Sequence, residues 1–477
     1  MVAAPRMDEG RRMRMRRMKN GAADCQPPDG SMTVKTIHEP ARDVPVYAQP
    51  DVLVVGAGAA GMMAACAAAR AGADTLLIDA YGTCGGTLTL ATLGGFCGTH
   101  AIIDDERLGR TVGGLYLDLE ERLIRREALL EPRRHGKIIG VPYDAIALRG
   151  VADEMLRAHG VKVLLHTSAV DVQAEDGRVR AVLIENKGGR SAIVPRMVVD
   201  CSGDGDVAAR AGAAFALGDE GETQYGSAMF RLTNVDQERA GQLTRPLIRE
   251  RLERALADGY ELPRTAIGFH INPVPGLVHL NVTKLGAPDG TPFNLTDPEQ
   301  LSAAECEGRR QVRLYEEVFR KYVPGFEGAR VVDMGVKVGV RETRMIEGDA
   351  VLTEDDVRGC RKPEDRIACT GWPLEIHGRG QATHWEFLPD GEYYGVPWGA
   401  LVVKGFDNLL VAGRNLSATH EAQSSARAGG LCFAMGEAAG LGAALSLSHG
   451  DRVRAVPVGT LQDELRRQGA LITPDLT

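Results

Sequence analysis

The chain has 477 residues, 44% hydrophobic and 25% charged, with a net charge of −8; this is an ordinary globular composition, with core enough for two or three domains. The acidic balance argues against a non-specific nucleic-acid surface, and no uninterrupted apolar window of ~18 residues suggests a membrane span. The nine cysteines form no CxxC pair or cluster, which disfavours an iron–sulfur or zinc site and points to reduced thiols in a cytoplasmic protein.

The first twenty residues are rich in arginine and methionine, with no apolar core behind them, so they do not read as a secretory signal. Residues 1–45 are expected to be a disordered extension, and the fold is expected to begin near Val46. The stretch DVLVVGAGAAGMMAACAAARAGADTLLID, residues 51–79, then reads as strand, glycine turn, helix and second strand. Gly56 permits a tight bend and Gly58 lets a pyrophosphate approach the backbone. Gly61 lets the helix, starting at Ala59 and Ala60, pack against the sheet. Asp79 follows the second strand, where a carboxylate accepts from ribose hydroxyls. The unit binds a dinucleotide, and by itself does not distinguish NAD from FAD.

Residues 143–212 read as one helix and four strands, ending in VVDCSGDGD, where Ser202, Gly203 and Asp204 open a short helix. Residues 217–395 change character. SAMFRLT, TAIGFHI and LVHLNVT are expected as half-buried strands, with Val278, Leu280 and Val282 alternating against His279, Asn281 and Thr283. A strong helix follows, with Asp297 as N-cap, Pro298 first, and Leu301, Ala304, Val312, Tyr315, Phe319 and Tyr322 on one face. At 408–445 a buried strand enters Gly413 and Arg414, and a small-residue loop leads to a long helix from about Leu431. Its N–H groups suit the pyrimidine edge of a flavin. Three such segments at the start, middle and end of the chain point to FAD, and no second complete GxGxxG unit offers a separate NAD(P)H domain. Electrons would pass to or from oxygen, a quinone or a protein.

With GGTLT, DCSGDGD, GVRETR and LLVAGRNLSATHEA in place, the chain resembles the FAD-dependent oxidoreductases related to succinate dehydrogenase and fumarate reductase flavoproteins, from Val46 to its C-terminus. The resemblance implies an α/β fold: a Rossmann-like FAD-binding domain of glutathione-reductase type (46–216 and 396–477) with an inserted α+β cap domain (217–395). It also implies hydride transfer between flavin N5 and a substrate carbon. Gly85, Gly86 and Thr87 match the stretch that lies along the flavin. Some relatives tether FAD through a histidine before the following threonine; here Leu88 precedes Thr89, so FAD is expected to be non-covalent. His420 and Arg427 match the family's substrate-binding histidine and the arginine before its Gly-Gly pair.

The expected cofactor contacts are Gly56, Gly58, Ala59, Ala60, Gly61, Asp79, Ala80, Gly85, Gly86, Thr87, Ala169, Val170, Ser202, Gly203, Asp204, Gly413, Arg414, Ser425, Gly430 and Leu431. The expected catalytic group is Arg341, His377, His420 and Arg427. Arginines would orient an anion and a histidine would move the proton, with both histidines approaching N5 from two sides of one cleft. Arg341 and Arg344 have an alternative as ion-pair partners of Glu342, Glu347 or Asp349, Arg414 as a cap of loop carbonyls, and Arg427 as a partner of Glu421. The expected activity is a dehydrogenase, oxidase or reductase acting on a small polar or anionic metabolite, without metal, nucleic acid or membrane span, and with a homo-oligomer as one possibility. The alternatives are a flavin monooxygenase and an electron-transfer subunit of a larger complex.

Overall fold

The computed structural model describes residues 36–380 and 382–476. Of the expected N-terminal extension, residues 1–35 lie outside the described residues, and residues 36–45 carry no helix or strand. Four runs that are wholly buried, Val52–Val55, Thr75–Ile78, Met197–Asp200 and Leu409–Val411, join Lys162–Leu164 in a five-stranded parallel sheet. Parallel strands covered on both faces need unbroken apolar sequence, which these runs supply. The order is Leu409–Val411, Met197–Asp200, Val52–Val55, Thr75–Ile78, Lys162–Leu164. The three sequence segments read as nucleotide-binding are thus adjacent strands, and the loops at their C-terminal ends meet, where ligands bind in open α/β sheets.

Helix Ala59–Arg70 packs under this sheet against the C-terminal helix Gly429–Ser446. The stretch Gly429–His449 at this helix is long and apolar enough to cross a membrane by length and composition, though Glu437 interrupts it, and 83% of its most apolar window is buried inside the protein. A second sheet, in the order Val46–Ala48, Gly189–Ile193, Arg178–Asn186, Ser168–Glu175, covers the other side. Residues 143–212 therefore hold five strands rather than four, because Lys162–Leu164 joins the parallel sheet while Ser168–Glu175 turns into the second one.

Between strands Met197–Asp200 and Leu409–Val411 the chain builds a separate antiparallel sheet, in the order Phe269–Ile271, Val278–Leu280, Phe230–Thr233, Arg330–Met334. Helix Pro298–Tyr322 begins as its sequence dictates: the Asp297 carboxylate accepts from the N–H groups of Glu299 and Gln300 (2.9 and 3.0 Å). Its Val312, Tyr315 and Phe319 pack with Phe230, Leu232, Val278 and Leu280 in a core of its own. That core spans Ala228 to Ala329, shorter than the expected 217–395. Leu352, Ile367, Leu374 and Tyr394 instead pack in the core that contains helix Ala59–Arg70. The sheet's other face carries His270, His279, Arg231 and Asp333 as one cross-strand row. This face was expected to be half-exposed, yet His279 and Thr283 are as buried as Val278. The row lies on the nucleotide-binding part: a Cβ on Gly94 would fall 2.2 Å from the His279 ring.

Candidate active site

The cofactor end follows from backbone geometry. Strand Val52–Val55 runs into Gly56, held at φ +97°, where a Cβ would sit 2.4 Å from the Cys201 carbonyl oxygen. At Gly61 it would meet the Gly56 oxygen at 1.8 Å. The first hydrogen bond of the helix runs from the Met62 N–H to the Gly58 carbonyl (3.0 Å), so the N–H groups of Ala59, Ala60 and Gly61 have no partner in the helix ladder. The turn Gly86–Leu88, which contains Thr87, lies against this opening. The Gly85 N–H donates to Ala57 (2.7 Å), and a Cβ on Gly86 would come within 2.7 Å of the Gly58 Cα.

Asp79 accepts from the N–H groups of Ala57 (2.7 Å) and Tyr81 (2.8 Å), with Ala80 between. Burial pushes its carboxyl above the ordinary value, against these donors and the charge of Lys337. The Thr167 N–H donates to the Asp79 carbonyl (2.9 Å), which brings Ala169 and Val170 to the same edge.

Opposite, Asp204 accepts from Arg414 Nη2 (2.6 Å) and Thr343 Oγ1 (2.8 Å). Burial alone would raise the Asp204 carboxyl; the charges of Arg414 and Lys337 and the two hydrogen bonds leave it below the ordinary value. Gly203 packs beside the Arg414 guanidinium, and Gly413 beside Ala60. Arg414 is thus tied to a carboxylate, not to loop carbonyls. The Ser202 hydroxyl is already engaged, donating to Asp200 (2.6 Å) and accepting from the Asp206 N–H (2.9 Å). At the third segment, the first bond of helix Gly429–Ser446 joins the Cys432 N–H to the Ala428 carbonyl (3.0 Å), leaving the N–H groups of Gly429, Gly430 and Leu431 outside the ladder.

A dinucleotide fits this cradle: two helix ends present open N–H groups, glycines admit close approach, and Asp79 stands at the ribose position. Ser425 is the exception among the expected contacts. Fully buried, it donates to the Trp372 carbonyl (2.7 Å) and bonds the Tyr394 hydroxyl (2.7 Å), so its side chain is spent on the fold.

A cleft opens at the junction with the inserted block, lined by Tyr225, Arg264, Lys284, Arg341, His377 and Thr383 among others. Arg341, 7% exposed, donates to the Tyr225 carbonyl (2.6 Å) and to Asn281 Oδ1 (3.3 Å), and pairs with none of Glu342, Glu347 or Asp349. Arg264 reaches Thr383 Oγ1 (3.2 Å). Arg427 donates to the Glu375 carbonyl (3.1 Å) and stands 3.9 Å from its carboxylate, not beside Glu421. Strand Leu374–Ile376 delivers Glu375 and, two residues on, His377 to the same side. The His377 Nε2 meets Glu375 Oε1 at 2.9 Å and its Nδ1 meets Thr383 Oγ1 at 3.2 Å.

The charges of Arg264, Arg341 and Arg427 therefore act on one carboxylate, Glu375, and Lys284 lines the same cleft as Arg264 and Arg341. Burial would push the Glu375 carboxyl up, but the His377 hydrogen bond and the nearby positive charges hold it at about 2. Burial and the Arg341 charge keep the His377 imidazole well below its ordinary value, against Glu375. In this coupled pair Glu375 is the ionised member and His377 is neutral, because surrounding guanidinium groups favour an anion and oppose a second cation. Burial, with the charges of Arg427 and Arg264, also disfavours a charged Arg341. A guanidinium does not surrender its proton, so the same forces become an unmet demand for a counter-anion.

His420 stands apart from the cleft. It begins helix His420–Ala426, and its Nδ1 bonds Glu342 Oε1 (2.9 Å). Burial lowers its affinity for a proton, but Glu342 and the nearby acids leave it above the ordinary value. Glu342, wholly buried, also accepts from the Gln224 N–H (2.9 Å), and Gln224 Oε1 accepts from the His377 N–H (3.2 Å) and from Arg427 (3.4 Å). The structure thus brings Arg341, His377 and Arg427 together and connects His420 to them only through Glu342 and Gln224. Arg344 pairs with Asp206 (3.1 Å), a structural ion pair. Sequence reasoning missed Arg264, Glu375 and Lys284. Only Glu375 carried a signal, its two-residue spacing from His377 on a strand.

Among solved structures, the chain is similar to a geranylgeranyl bacteriochlorophyll reductase-like protein from Thermoplasma acidophilum, at 12% identity and TM-score 0.45 over 88% of this chain and 84% of that one. An aromatic hydroxylase from angucycline biosynthesis is similar at 14% identity and TM-score 0.45, over 88% and 65% of the two chains. A p-nitrophenol 4-monooxygenase from Pseudomonas putida is similar at 12% identity and TM-score 0.44, over 87% and 83%. No curated protein matches. Residues 51–465 match the model of the FAD dependent oxidoreductases, and the chain belongs to that family of enzymes.

Proposed function

We propose that this FAD-dependent oxidoreductase removes hydride from, or delivers it to, a carbon of a small anionic metabolite, and that the cleft of Arg264, Lys284, Arg341 and Arg427 receives the anion. The carrying observation is the convergence of the Arg264, Arg341 and Arg427 charges on Glu375 beside a cleft that Lys284 also lines, with Arg341 buried and paired to no carboxylate. Bound FAD would supply the two-electron acceptor or donor at N5. The cradle residues would hold it without a covalent bond, in a nucleotide domain of glutathione-reductase type, with the inserted block as a cap. The motifs GGTLT, DCSGDGD and GVRETR support kinship with the succinate dehydrogenase and fumarate reductase flavoproteins. The eight described cysteines, all free thiols, support a cytoplasmic setting.

Within this reading, the arginines bind and orient the carboxylate by charge-assisted, bidentate hydrogen bonds. His377 takes the substrate proton as hydride leaves, at Nδ1, where the Thr383 hydroxyl now donates; Glu375 fixes the ring from Nε2 and stabilises the imidazolium. In the reverse direction the same ring returns the proton. His420 and Arg344 act on the fold around the site.

The test is anaerobic titration of the oxidised holoenzyme with a panel of small carboxylates, read as bleaching of the flavin. A carboxylate that bleaches native enzyme should need about 100-fold more concentration in Arg341→Ala, two charge-assisted bonds being lost, with flavin content unchanged. Bleaching by neutral compounds alone, or dioxygen-derived oxygen in the product, would overturn the reading.

A further inference from the structure

Lys337 belongs to neither the cradle nor the cleft as described. It lies between the edge strand Arg330–Met334 of the inserted block and Arg341 of the cleft. The segment is fixed at both ends. The Gly335 N–H donates to Met229 (3.0 Å) and the Gly339 N–H to Ser227 (2.7 Å). A Cβ on Gly335 would come within 2.8 Å of the Ala91 Cα, so the backbone lies flat on the chain that follows the Gly85–Thr89 turn. The Val338 N–H donates to Glu305 (2.8 Å), which fastens the segment to helix Pro298–Tyr322 as well.

From this support Lys337 extends over the nucleotide turn. Its Nζ stands 5.3 Å from the centre of the Tyr81 ring, and Tyr81 is the residue whose N–H donates to Asp79. Among the described residues it makes no hydrogen bond or ion pair. Its positive charge acts on Asp79 on one side of the turn and on Asp204 on the other. Between these carboxylates lie Gly56 to Gly61 and the open N–H groups of Ala59 and Ala60. The guanidinium groups beside Asp204 are already committed, Arg414 to its carboxylate at 2.6 Å and Arg344 to Asp206 at 3.1 Å and to the Asp204 carbonyl at 3.0 Å. A pyrophosphate arriving here meets two carboxylates and no uncommitted arginine, and lysine suits it as a mobile point charge.

We propose that Lys337 grips the pyrophosphate of bound FAD, so that the inserted block contributes to cofactor binding as well as to the cleft. The inference adds a residue to the cofactor site and does not depend on the identity of the substrate. The test is the FAD dissociation constant, measured by recovery of flavin fluorescence on dilution of the holoenzyme at low and high salt. Lys337→Gln should weaken FAD about tenfold at low salt, the value of one charge-assisted contact, and the gap should narrow as salt screens it. Lys337→Arg should hold FAD within about threefold of native, keeping the charge. Thermal unfolding of the flavin-stripped variants should match that of the stripped native chain. FAD affinity in Lys337→Gln within twofold of native would overturn the proposal. So would a loss equal at all salt concentrations, or one accompanied by a lower melting temperature of the stripped protein.

Discussion

At the scale of the residue, the informative groups are those whose charge state the fold has decided. His377 is neutral because it is buried and faces Arg341, and Glu375 is ionised because cations surround it. A proton acceptor held well below its ordinary value stays deprotonated as pH falls through the imidazole range. The rate at limiting substrate should therefore remain level from pH 8 down through about 6.5, with no acidic limb at the ordinary histidine value. His377→Ala should lower it about 100-fold, at the low end of what a positioned acid–base group contributes. A limb near 6.5 in the native profile that disappears in the variant would refute the assignment. Arg341, His377 and Arg427 were named from the sequence, and the fold brings them near one another. Arg264, Lys284 and Glu375 were not legible as a site, because they lie on separate segments that only folding brings together. Ser425 failed for the converse reason: a hydroxyl next to the expected flavin helix was already committed to Trp372 and Tyr394.

At the scale of the element, local signals carried furthest. Helix Pro298–Tyr322 was readable to its first residue because its cap, proline and apolar face are all properties of neighbouring residues. Strand Val278–Leu280 was readable as a strand, but the burial of its polar face was not, since a second structure covers it. The C-terminal helix makes the same point. Two of its glycines are its contact points with helix Ala59–Arg70. A Cβ on Gly436 would sit 2.1 Å from the Ala60 carbonyl oxygen, and one on Gly440 would sit 2.0 Å from that of Ala64. Gly440→Ala must push two backbones apart. It should destabilise the protein by about 2 kcal/mol, with a lower denaturation midpoint in urea, despite the better helix propensity of alanine. An unchanged or raised midpoint would mean that the helices do not meet this closely.

At the scale of the whole molecule, buried histidines set a limit on acid stability. His100 is 8% exposed and held at about 4 by burial and by the charge of Arg110, and His279, 1% exposed, is pushed well below its ordinary value by burial, His270 and Arg231. The unfolded chain binds these protons near pH 6.5 and the folded chain does not. The stability they permit is thus present above 6.5 and is lost as pH falls from there toward 4, by up to about 1.4 kcal/mol per pH unit for each histidine. The melting temperature should fall over that window, and less steeply in His279→Gln once compared with its own value at neutral pH. Equal slopes for variant and native would remove His279 from the account. The parallel sheet was legible at this scale because each of its central strands is an apolar run ending in a turn. The shorter extent of the inserted core was not, since the segments around Leu352 and Leu374 return to the larger core without any change in composition.

The cradle and the cleft also differ in what an evolving sequence can do with them. At Gly56, Gly61 and Gly86 a single added carbon would collide with backbone, so substitution there requires the main chain to be rebuilt. The cleft is lined by long side chains, Arg264, Lys284, Arg341 and His377, with Arg427 near Glu375, each borne by a different stretch of chain. None of them lies within a strand or helix, so any one can be exchanged while those elements stay in place. One lineage can therefore redirect the enzyme to new metabolites by isolated point changes while inheriting its coenzyme unaltered.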